Sequence, residues 1–259
     1  MADGQPRLPT LAPDWLAPVG ALVSTRGGGV SAPPWNSLNL GDHVGDLASA
    51  VAENRRRLAQ AMGVAPIWLE QVHGTRVVRV GRARLGQPPA RADAAWTDEP
   101  GVACAVLVAD CLPVLFACGD GRAVAAAHAG WRGLAAGVLE ATLEALCLGA
   151  GCAPGEIQAW LGPCIGPDWF EVGADVRAAF GADRDDAATA RHFRPRARPD
   201  GDPRWLADLA GLAADRLRQA GVGRVDAAGL CTASDASRFF SYRRDGVTGR
   251  FAATVWRRG

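Results

Sequence analysis

The chain has 259 residues, which is long enough to bury a substantial hydrophobic core as one large domain or two small ones. Its formal net charge is +1, so the composition gives no indication of a nucleic-acid-binding or membrane-binding surface. All 28 basic residues are arginine, which excludes Schiff-base chemistry on a lysine and phosphate binding by a P-loop lysine.

The cysteines and the N-terminus bear on the cellular compartment. Seven cysteines, an odd number in a chain of this size, favour reduced thiols that serve mostly as small core residues. The N-terminal residues lack the basic region and apolar core of a signal peptide, and no apolar run approaches the ~20 residues that a membrane helix needs. We therefore expect a cytoplasmic protein whose residues 1–18, with four prolines, lie on the surface.

The first predicted elements flank a glycine-rich loop. Residues 19–25 predict a strand that leads into Arg26 and three successive glycines at 27–29. Such glycines can turn backbone N–H groups toward an anion, although on the glycines alone a flexible loop is favoured. Residues 49–62 predict a helix with Ser49 as its N-cap.

A histidine interrupts the next apolar segment. Residues 67–80 predict one strand or a bent pair of strands, with His73 in the middle. Gly74 follows it and indicates a bulge or a close approach of another backbone. A single strand histidine is more often structural than functional, but two of the four histidines, His73 and His128, lie in strand or turn positions near a glycine.

The central stretch, residues 102–133, organises the rest of the chain. Residues 102–109 form a continuous apolar run that is typical of a buried strand. Residues 112–118 and 122–127 predict two more strands, joined by a turn of glycine and aspartate that favours a tight hairpin.

Two registers of this hairpin are open. If the loop is residues 119–120, Cys111 pairs directly with His128, with Cβ atoms roughly 5 Å apart. If the loop is residues 120–121, Cys111 faces Gly130, and His128 lies one diagonal step away on the same face, because side chains alternate with a period of two. A thiol and an imidazole converge in both registers.

A predicted helix begins just after His128. Apolar residues from 134 to 146 recur at helical spacing, and Gly149 indicates the end of the helix. His128 therefore lies close to a helix N-terminus, where free N–H groups and the helix dipole favour an anion. Arg132 adds a guanidinium that can bind a phosphate or a carboxylate.

The C-terminal part is predicted to alternate between short strands and helices. Its predicted strands are residues 157–161 and 224–230, its helices residues 174–180 and 203–220, and its last element a hairpin of residues 239–243 and 250–256. Residues 181–202 are rich in charge and proline, and predict a mobile excursion in which His192 lies on a solvated surface among arginines.

Three side chains in these segments have the chemistry of a metal site. Imidazole and thiolate are good zinc ligands, and His73, Cys111 and His128 leave a fourth position for water or substrate, as in a catalytic zinc site. Two alternatives remain open from the residues alone: a core cysteine with two hydrogen-bonded histidines, or a metal-free Cys111–His128 dyad of nucleophile and base. Asp110 is a poor third member of such a dyad, because its side chain points the opposite way if the strand continues.

Several longer motifs resemble those of one known family. They are QVHGTRVV, ADAAWTDEPGVACAVLVADCLPVLFA, AAAHAGWRG, LGPCIGPDWFEVG and CTASDASRFFSYRRDGVTGR, preceded by TRGGGVS and LNLGDHVGD. Together they resemble the motif set of the YfiH-type family, which was labelled polyphenol oxidase or laccase-domain and is now described as purine nucleoside phosphorylase-like. The resemblance runs in order from about residue 24 to residue 250, nearly the whole chain.

The resemblance implies a fold, a metal and a reaction. The implied fold is α+β, with layered mixed β-sheets and flanking α-helices in a single domain over residues 1–259. One zinc ion is implied at His73, Cys111 and His128. The implied reactions are phosphorolysis of adenosine, inosine and methylthioadenosine to the free base and ribose 1-phosphate, and deamination of adenosine. We expect purine nucleosides and phosphate as partners, without nucleic acid or membrane, and a monomer or weak homo-oligomer.

Candidates for substrate binding rest on chemistry and location. Arg26 beside the triple glycine and Arg132 at the helix start are candidates for phosphate binding. Asn39 is a candidate for hydrogen bonds to the ribose or the base.

Three other functions are weighed against this one. A copper oxidase acting on phenols is disfavoured, because a multicopper site needs more histidines than the four present. A metal-free cysteine hydrolase, for example an editing factor for cell-wall peptide precursors, would differ in metal content and in its response to chelation. A zinc-stabilised binding or regulatory protein without turnover is opposed by the open fourth coordination position.

Overall fold

The computed structural model describes residues 8–15, 18–182, 187–198 and 201–259. Within these ranges the chain forms mixed β-sheets and several α-helices, so the predicted α+β class is confirmed. No helix among the described residues is long and apolar enough to cross a membrane.

Short strands and helices follow one another irregularly along the described chain. The strands are β1 (Thr10–Leu11), β2 (Val19–Ser24), β3 (Ala65–Ile67), β4 (Leu69–Glu70), β5 (Val77–Arg79), β6 (Ala90–Arg91), β7 (Ala94–Thr97), β8 (Val102–Val108), β9 (Leu112–Cys118), β10 (Val124–Ala129), β11 (Ile157–Leu161), β12 (Glu171–Val172), β13 (Phe193–Arg196), β14 (Arg204–Ala207), β15 (Arg224–Ala227) and β16 (Phe251–Arg257). The α-helices are α1 (Ala48–Met62), α2 (Trp131–Ala136), α3 (Val138–Ala150), α4 (Ala174–Ala179), α5 (Ala187–Ala190), α6 (Leu209–Gln219) and α7 (Tyr242–Asp245).

Two larger sheets pack face to face in the described part of the chain. One has the strand order β1-β2-β16-β8-β3, and the other has the order β15-β11-β9-β10-β7-β5. In the first sheet β16 lies antiparallel between β2 and β8. In the second sheet the β9–β10 hairpin is flanked by β11 and β7. This hairpin carries two of the three predicted metal ligands, Cys111 just before β9 and His128 in β10.

The alternation of side chains along β9 divides them between two cores. Val114 and Phe116 contribute to the core shared with α3 and α6, whereas Leu115 and Ala117 contribute to the core between the two sheets. A third core, under α1, covers the outer face of the other sheet. Both faces of the sheets are therefore covered, which explains why continuous apolar runs such as Val102–Val108 are buried along their whole length. The layer order is helix, sheet, sheet, helix.

The register of the β9–β10 hairpin fixes the position of Cys111. His128 pairs with Pro113, so the register in which Cys111 faces Gly130 is correct, and the direct pairing of Cys111 with His128 is wrong. The turn between the strands is wider than two residues, because the N–H of Cys118 donates to the carbonyl of Ala123 across it.

The predicted helix after His128 is divided in two. Gly137 has a φ of 100°, which only glycine adopts readily, and the chain turns there between α2 and α3. The helix α3 ends at Ala150 with Gly151 as its cap, so the predicted end at Gly149 is wrong. The ring of Trp96 lies against Gly149, where a Cβ would overlap it, so this glycine permits close packing of the helix on the sheet.

The start of α1 also differs from its prediction. The helix begins at Ala48, and Leu47 occupies the N-cap position without a side-chain hydrogen bond, so Ser49 is not the cap. The N–H of Leu47 instead donates a hydrogen bond to the carboxylate of the preceding Asp46.

The predicted final hairpin is wrong. Residues 239–243 do not form a strand, and Phe239 and Phe240 are buried in the core between the sheets from an irregular segment. The helix α7 then begins at Tyr242, and the hydroxyl of Ser241 caps it. β16 pairs with β2 and β8, which are distant in sequence, and an apolar run carries no information about such partners.

A small antiparallel sheet replaces part of the predicted helix 203–220. Its strand order is β12-β14-β13, and β14 occupies the start of the predicted helix. The helix α6 therefore begins at Leu209, and the side chain of its N-cap residue Asp208 accepts a hydrogen bond from the N–H of Gly211. His192, predicted on a solvated surface, has a side chain only 11% exposed and contacts the Asp215 carboxylate at 2.7 Å.

Two predictions fall partly outside the described residues. Of the predicted surface segment 1–18, residues 1–7 and 16–17 are not described. Of the predicted excursion 181–202, residues 183–186 and 199–200 are not described. The exposure of the first segment and the mobility of the second stay predictions.

Candidate metal centre

Three separate backbone segments bring the predicted ligands together. The predicted strand 67–80 is divided into β3, β4 and β5, and His73 lies in the loop between β4 and β5 with a φ of 61°. Cys111 directly precedes β9, and His128 lies near the end of β10. Because β9 and β10 are paired, Cys111 and His128 approach each other, and the loop after β4 adds His73.

The ligand atoms of these residues are within reach of one ion. The Sγ of Cys111 lies 3.7 Å from the Nε2 of His73, and the rings of His73 and His128 meet edge to face with centroids 4.7 Å apart. One ligand atom from each residue lies within 4.8 Å of the others. A thiolate with two imidazoles is a donor set that suits zinc or copper, so the residues fit a bound transition metal.

Gly130 makes room for this cluster. A Cβ at this position would lie 2.7 Å from the Cδ2 of His73 and 3.1 Å from the Sγ of Cys111. Real Cβ atoms do not approach a ring carbon so closely, so any other residue at position 130 would displace His73. The motif HAGWRG thus supplies a ligand and, two residues later, the space that the other ligands occupy.

Asp93 is a buried residue that the sequence analysis missed. Its Oδ1 lies 2.9 Å from the Nδ1 of His128 and accepts a 2.8 Å hydrogen bond from the N–H of His73. Its Oδ2 accepts from the N–H groups of Gly74 at 2.7 Å and Val72 at 3.2 Å. The carboxylate thereby orients His128 with Nε2 toward the cluster and holds the loop that carries His73. The signal in the sequence was an aspartate directly before a buried strand.

Electrostatics favour a charged pair of Cys111 and His128. Burial by itself would raise the pKa of the Cys111 thiol, but the neighbouring His128 and His73 outweigh it and lower this pKa to about 6. Burial by itself would lower the pKa of His128, but the Cys111 thiolate and the Asp93 carboxylate raise it to about 9. Burial also opposes the shift of Asp93, whose pKa is nevertheless lowered by its hydrogen bond to His128. Without a metal, the thiolate of Cys111 and a protonated His128 therefore form a charged pair near neutral pH, and a metal ion that bound here would take the place of the His128 proton.

Asp110 connects the cluster to the C-terminal loops. Its φ is 97°, so the chain turns at this residue instead of continuing as a strand. Its Oδ1 accepts a 2.6 Å hydrogen bond from the hydroxyl of Thr232, and its Oδ2 accepts a 2.7 Å bond from the N–H of Arg243. Its carbonyl accepts from the N–H of Ile165 at 2.9 Å. The Asp110 carboxylate therefore holds two loops and contacts neither histidine.

A cavity of about 130 Å³ opens beside Cys111. Its walls are mostly apolar and include three aromatic rings together with two charged residues, one acidic and one basic; among the lining residues are Asp110, Trp131, Ile165, Phe170, Tyr242 and Arg243. Mostly apolar walls with a few polar groups are typical of small-molecule sites. The arrangement can hold a flat apolar group beside a bound metal ion.

The two arginines proposed for phosphate lie in different environments. Arg132 is exposed and its guanidinium stacks 4.3 Å above the ring of Trp131, which lines the cavity. Arg26 donates to the carbonyls of Asn36 and Ala236, both at 3.0 Å, and lies over the Phe240 ring. The Arg26 guanidinium therefore connects two loops of the protein.

Asn39 is fully buried and bonded to protein on all sides. Its Nδ2 donates to the carbonyl of Gly41 and to the Asp46 carboxylate. Its Oδ1 accepts from the N–H groups of Gly41 and Arg250. Both hydrogens and both lone pairs of this amide are thus occupied by protein groups, and the structure does not bring Asn39 into the cavity.

Sequence comparisons relate the chain to named proteins. A family model described as multi-copper polyphenol oxidoreductase laccase matches residues 20–258. A Pseudomonas aeruginosa protein named purine nucleoside phosphorylase is 53% identical over 248 residues, covering 95% of this chain and 97% of that protein. The purine nucleoside phosphorylase YfiH of Escherichia coli K12 is 49% identical over 252 residues, covering 95% of this chain and 98% of that protein.

Solved structures agree with this relationship. A Neisseria meningitidis protein of the DUF152 family has a TM-score of 0.88 and 47% identity, covering 96% of this chain and 99% of that chain. YlmD from Geobacillus stearothermophilus has a TM-score of 0.86 and 32% identity, covering 98% of this chain and 99% of that chain. The layered fold described above is therefore shared over nearly the whole length.

Proposed function

The chain belongs to the YfiH family of laccase-like proteins, and from this membership we propose that it is a zinc-dependent purine nucleoside phosphorylase that also deaminates adenosine. The observation that carries the proposal is the convergence of His73, Cys111 and His128 beside a cavity with aromatic walls. The names of relatives at 53% and 49% identity support the phosphorolysis of purine nucleosides.

Zinc is the metal that the donor set favours. One thiolate and two imidazoles supply three of the four ligands of a tetrahedral zinc site and leave the fourth position open. The chain has only four histidines, and the other two, His43 and His192, contact aspartates elsewhere. A multicopper centre requires more imidazoles than this, so copper oxidation of phenols is disfavoured. When bound, zinc supplies Lewis-acid chemistry at its open position.

The residues around the cluster have separate roles in the proposed reaction. Asp93 orients His128, and the Cys111 thiolate completes the ligand set. The rings of Trp131 and Phe170 offer flat apolar surfaces for a purine and exclude water from the reacting atoms. In phosphorolysis an oxygen of phosphate forms a bond to C1′ of the ribose while the bond from C1′ to the base nitrogen breaks.

The experiment is turnover of adenosine by the purified protein with and without phosphate, with mass spectrometry of the products. We expect adenine and ribose 1-phosphate only when phosphate is present. Cys111→Ser should lose this activity together with bound zinc, because the thiolate ligand is removed. Cys147→Ser is the matched control, because Cys147 is a half-buried thiol of α3 outside the cluster. If zinc is bound and no phosphate-dependent product forms, the proposal is wrong.

The same assay separates deamination from phosphorolysis. Inosine formed from adenosine without phosphate would indicate attack of water on C6 of the purine. Inosine and methylthioadenosine supplied in place of adenosine would establish the range of nucleosides. Loss of inosine formation in Cys111→Ser would assign deamination to the same cluster.

A cysteine hydrolase is a second candidate, because Cys111, His128 and Asp93 follow one another as nucleophile, base and orienting carboxylate. A Cys111 pKa of about 6 also suits a nucleophile. Metal content distinguishes the two functions. A hydrolase that opens amide bonds of cell-wall peptide precursors would keep its activity after zinc removal by a chelator, whereas the nucleoside enzyme would lose it.

Three further properties are part of the proposal. The chain forms a single domain over residues 1–259, is cytoplasmic, and is a monomer or a weak homo-oligomer. Light scattering at several concentrations tests the oligomeric state. Limited proteolysis that cuts first within residues 181–202 would support the predicted mobility of that segment.

A further inference from the structure

One guanidinium lines the cavity beside the metal ligands. It belongs to Arg243, in α7, and Cys111 lines the same cavity. We propose that Arg243 binds the phosphate co-substrate of the reaction. The inference rests on the proposed phosphorolysis and gives a role to a residue other than the sequence candidates Arg26 and Arg132.

The backbone of Arg243 is tied to the metal cluster. Its N–H donates a 2.7 Å hydrogen bond to the Oδ2 of Asp110, the residue that precedes Cys111. The other oxygen of this buried carboxylate is held by the hydroxyl of Thr232. A carboxylate with both oxygens bonded has a fixed position, so the distance between α7 and Cys111 is fixed as well.

The side chain of Arg243 is held on one edge only. Its Nη1 donates to the carbonyls of Glu171 at 3.0 Å and Trp169 at 3.3 Å, and the guanidinium lies 5.6 Å from the centre of the Phe170 ring. Within the part of the chain that the structure describes, its Nε and Nη2 have no hydrogen-bond acceptor and the guanidinium has no carboxylate partner. The protein thus orients the group before any ligand binds.

The free edge has the geometry of an oxyanion site. Nε–H and the nearer hydrogen of Nη2 point in the same direction from the planar guanidinium, and this pair binds two oxygens of one phosphate. Arg243 is exposed, lines the cavity and has no carboxylate of the described residues within ion-pair distance of its guanidinium, so no acidic side chain among them competes with an anion for its free edge. The neighbouring Arg244 shows the contrast, because it pairs with Asp245 at 2.7 Å.

The test is the steady-state kinetics of Arg243→Gln and Arg243→Lys with adenosine and inorganic phosphate. We expect the KM for phosphate to rise roughly tenfold or more in Arg243→Gln, since two charge-assisted hydrogen bonds are lost. Arg243→Lys should recover part of the affinity, because it keeps the charge but loses the fork. The KM for adenosine and the zinc content should stay within about twofold of the original values.

Two controls separate phosphate binding from general damage. Arg57→Gln changes an arginine of α1 that pairs with Glu53 and should leave both KM values unchanged. Thermal unfolding of each variant checks the fold, because Arg243 also donates to two carbonyls. If Arg243→Gln does not fold, Arg243→Lys decides the question by the same split between the two KM values.

The outcomes distinguish this inference from the proposed function. Suppose that the unmodified protein is active and that Arg243→Gln folds. An unchanged KM for phosphate in Arg243→Gln then overturns the inference but leaves the proposed function standing. A rise in the KM for phosphate in Arg132→Gln, and not in Arg243→Gln, has the same consequence. If the unmodified protein shows no phosphorolysis, the proposed function fails, and binding of inorganic phosphate is measured directly by calorimetry. Binding by the unmodified protein that is lost in Arg243→Gln then supports the anion site, and equal binding, or none, rejects it.

Discussion

Replacing Asp93 by asparagine removes one charge at a point where four hydrogen bonds meet. In the native protein Oδ1 is bonded to His128 and to the N–H of His73, and Oδ2 is bonded to the N–H groups of Val72 and Gly74. Asparagine offers one oxygen and one NH2 group in the same space. If the NH2 takes the place of Oδ2, it faces two backbone N–H donors, those of Val72 and Gly74, that it cannot satisfy. If it takes the place of Oδ1, it faces the N–H of His73, and it can donate to the Nδ1 of His128 only when that ring carries its proton on Nε2.

The size of the effect follows from these unpaired donors. Each buried donor left without a partner costs about 1–3 kcal/mol, so one or two of them reduce the free energy of unfolding by about 1–6 kcal/mol. Asp93 is completely buried, so water cannot replace the lost acceptor without a change in the structure. Loss of the carboxylate that orients His128 should also weaken metal binding by about 10- to 100-fold.

Two assays measure these quantities separately. Urea denaturation of the metal-free Asp93→Asn protein gives the change in the free energy of unfolding. Competition with a chromophoric zinc chelator gives the change in metal affinity. The control is Asp98→Asn, because the Asp98 carboxylate is 37% exposed and pairs with Arg79 on the surface. Such pairs contribute about 0–1 kcal/mol, and this variant should bind zinc normally.

The reasoning would be refuted if the two variants had the same stability in urea and the same affinity for zinc. If Asp93→Asn unfolds at the same urea concentration as Asp98→Asn, the buried hydrogen bonds do not contribute as argued. If it also binds zinc with the original affinity, Asp93 does not orient His128 in solution.

Three other changes have defined outcomes. Gly130→Ala should destabilise the protein by about 1–3 kcal/mol and lower its zinc content, because the new Cβ would displace His73; Gly155→Ala is the control, since nothing lies within 4 Å of its Cβ position. Equal zinc content in the two variants would contradict this. Phe116→Ala should lower the free energy of unfolding in urea by about 3–5 kcal/mol, because the ring is fully buried; a loss below 1 kcal/mol would contradict it. Removal of zinc by a chelator should lower the midpoint of thermal unfolding and abolish phosphorolysis, and added zinc should restore both; phosphorolysis that survives chelation would contradict the zinc dependence.

The convergence of Cys111 and His128 could be predicted because their positions in the chain are close to one turn. Cys111 and His128 flank a hairpin, and the period of two along strands places them on one face in either register. His73 is different, since 38 residues separate it from Cys111 and only the family motifs indicated that it joins. The structure supplied the loop conformation that brings it there.

Asp93 and Arg243 show what local patterns do not reveal. Asp93 precedes a buried strand, and its function depends on four donors from two other segments. Arg243 lies in a segment that was predicted as a strand, and its position depends on Asp110, which is 133 residues away in sequence. Neither contact leaves a periodic signal, because hydrogen bonds between distant segments impose no spacing on the chain.

The α+β class was implied by the resemblance of the motifs to a known family. Local patterns in the sequence by themselves determined the buried strands and the convergence of Cys111 with His128. Apolar runs, alternation and glycine positions act within a few residues, so these features follow from local geometry. Only the tertiary structure decided the hairpin register, the partners of the last strand, and the contacts of Asp93 and Arg243. These depend on which surfaces bury each other, and that choice is made by the packing of the whole chain.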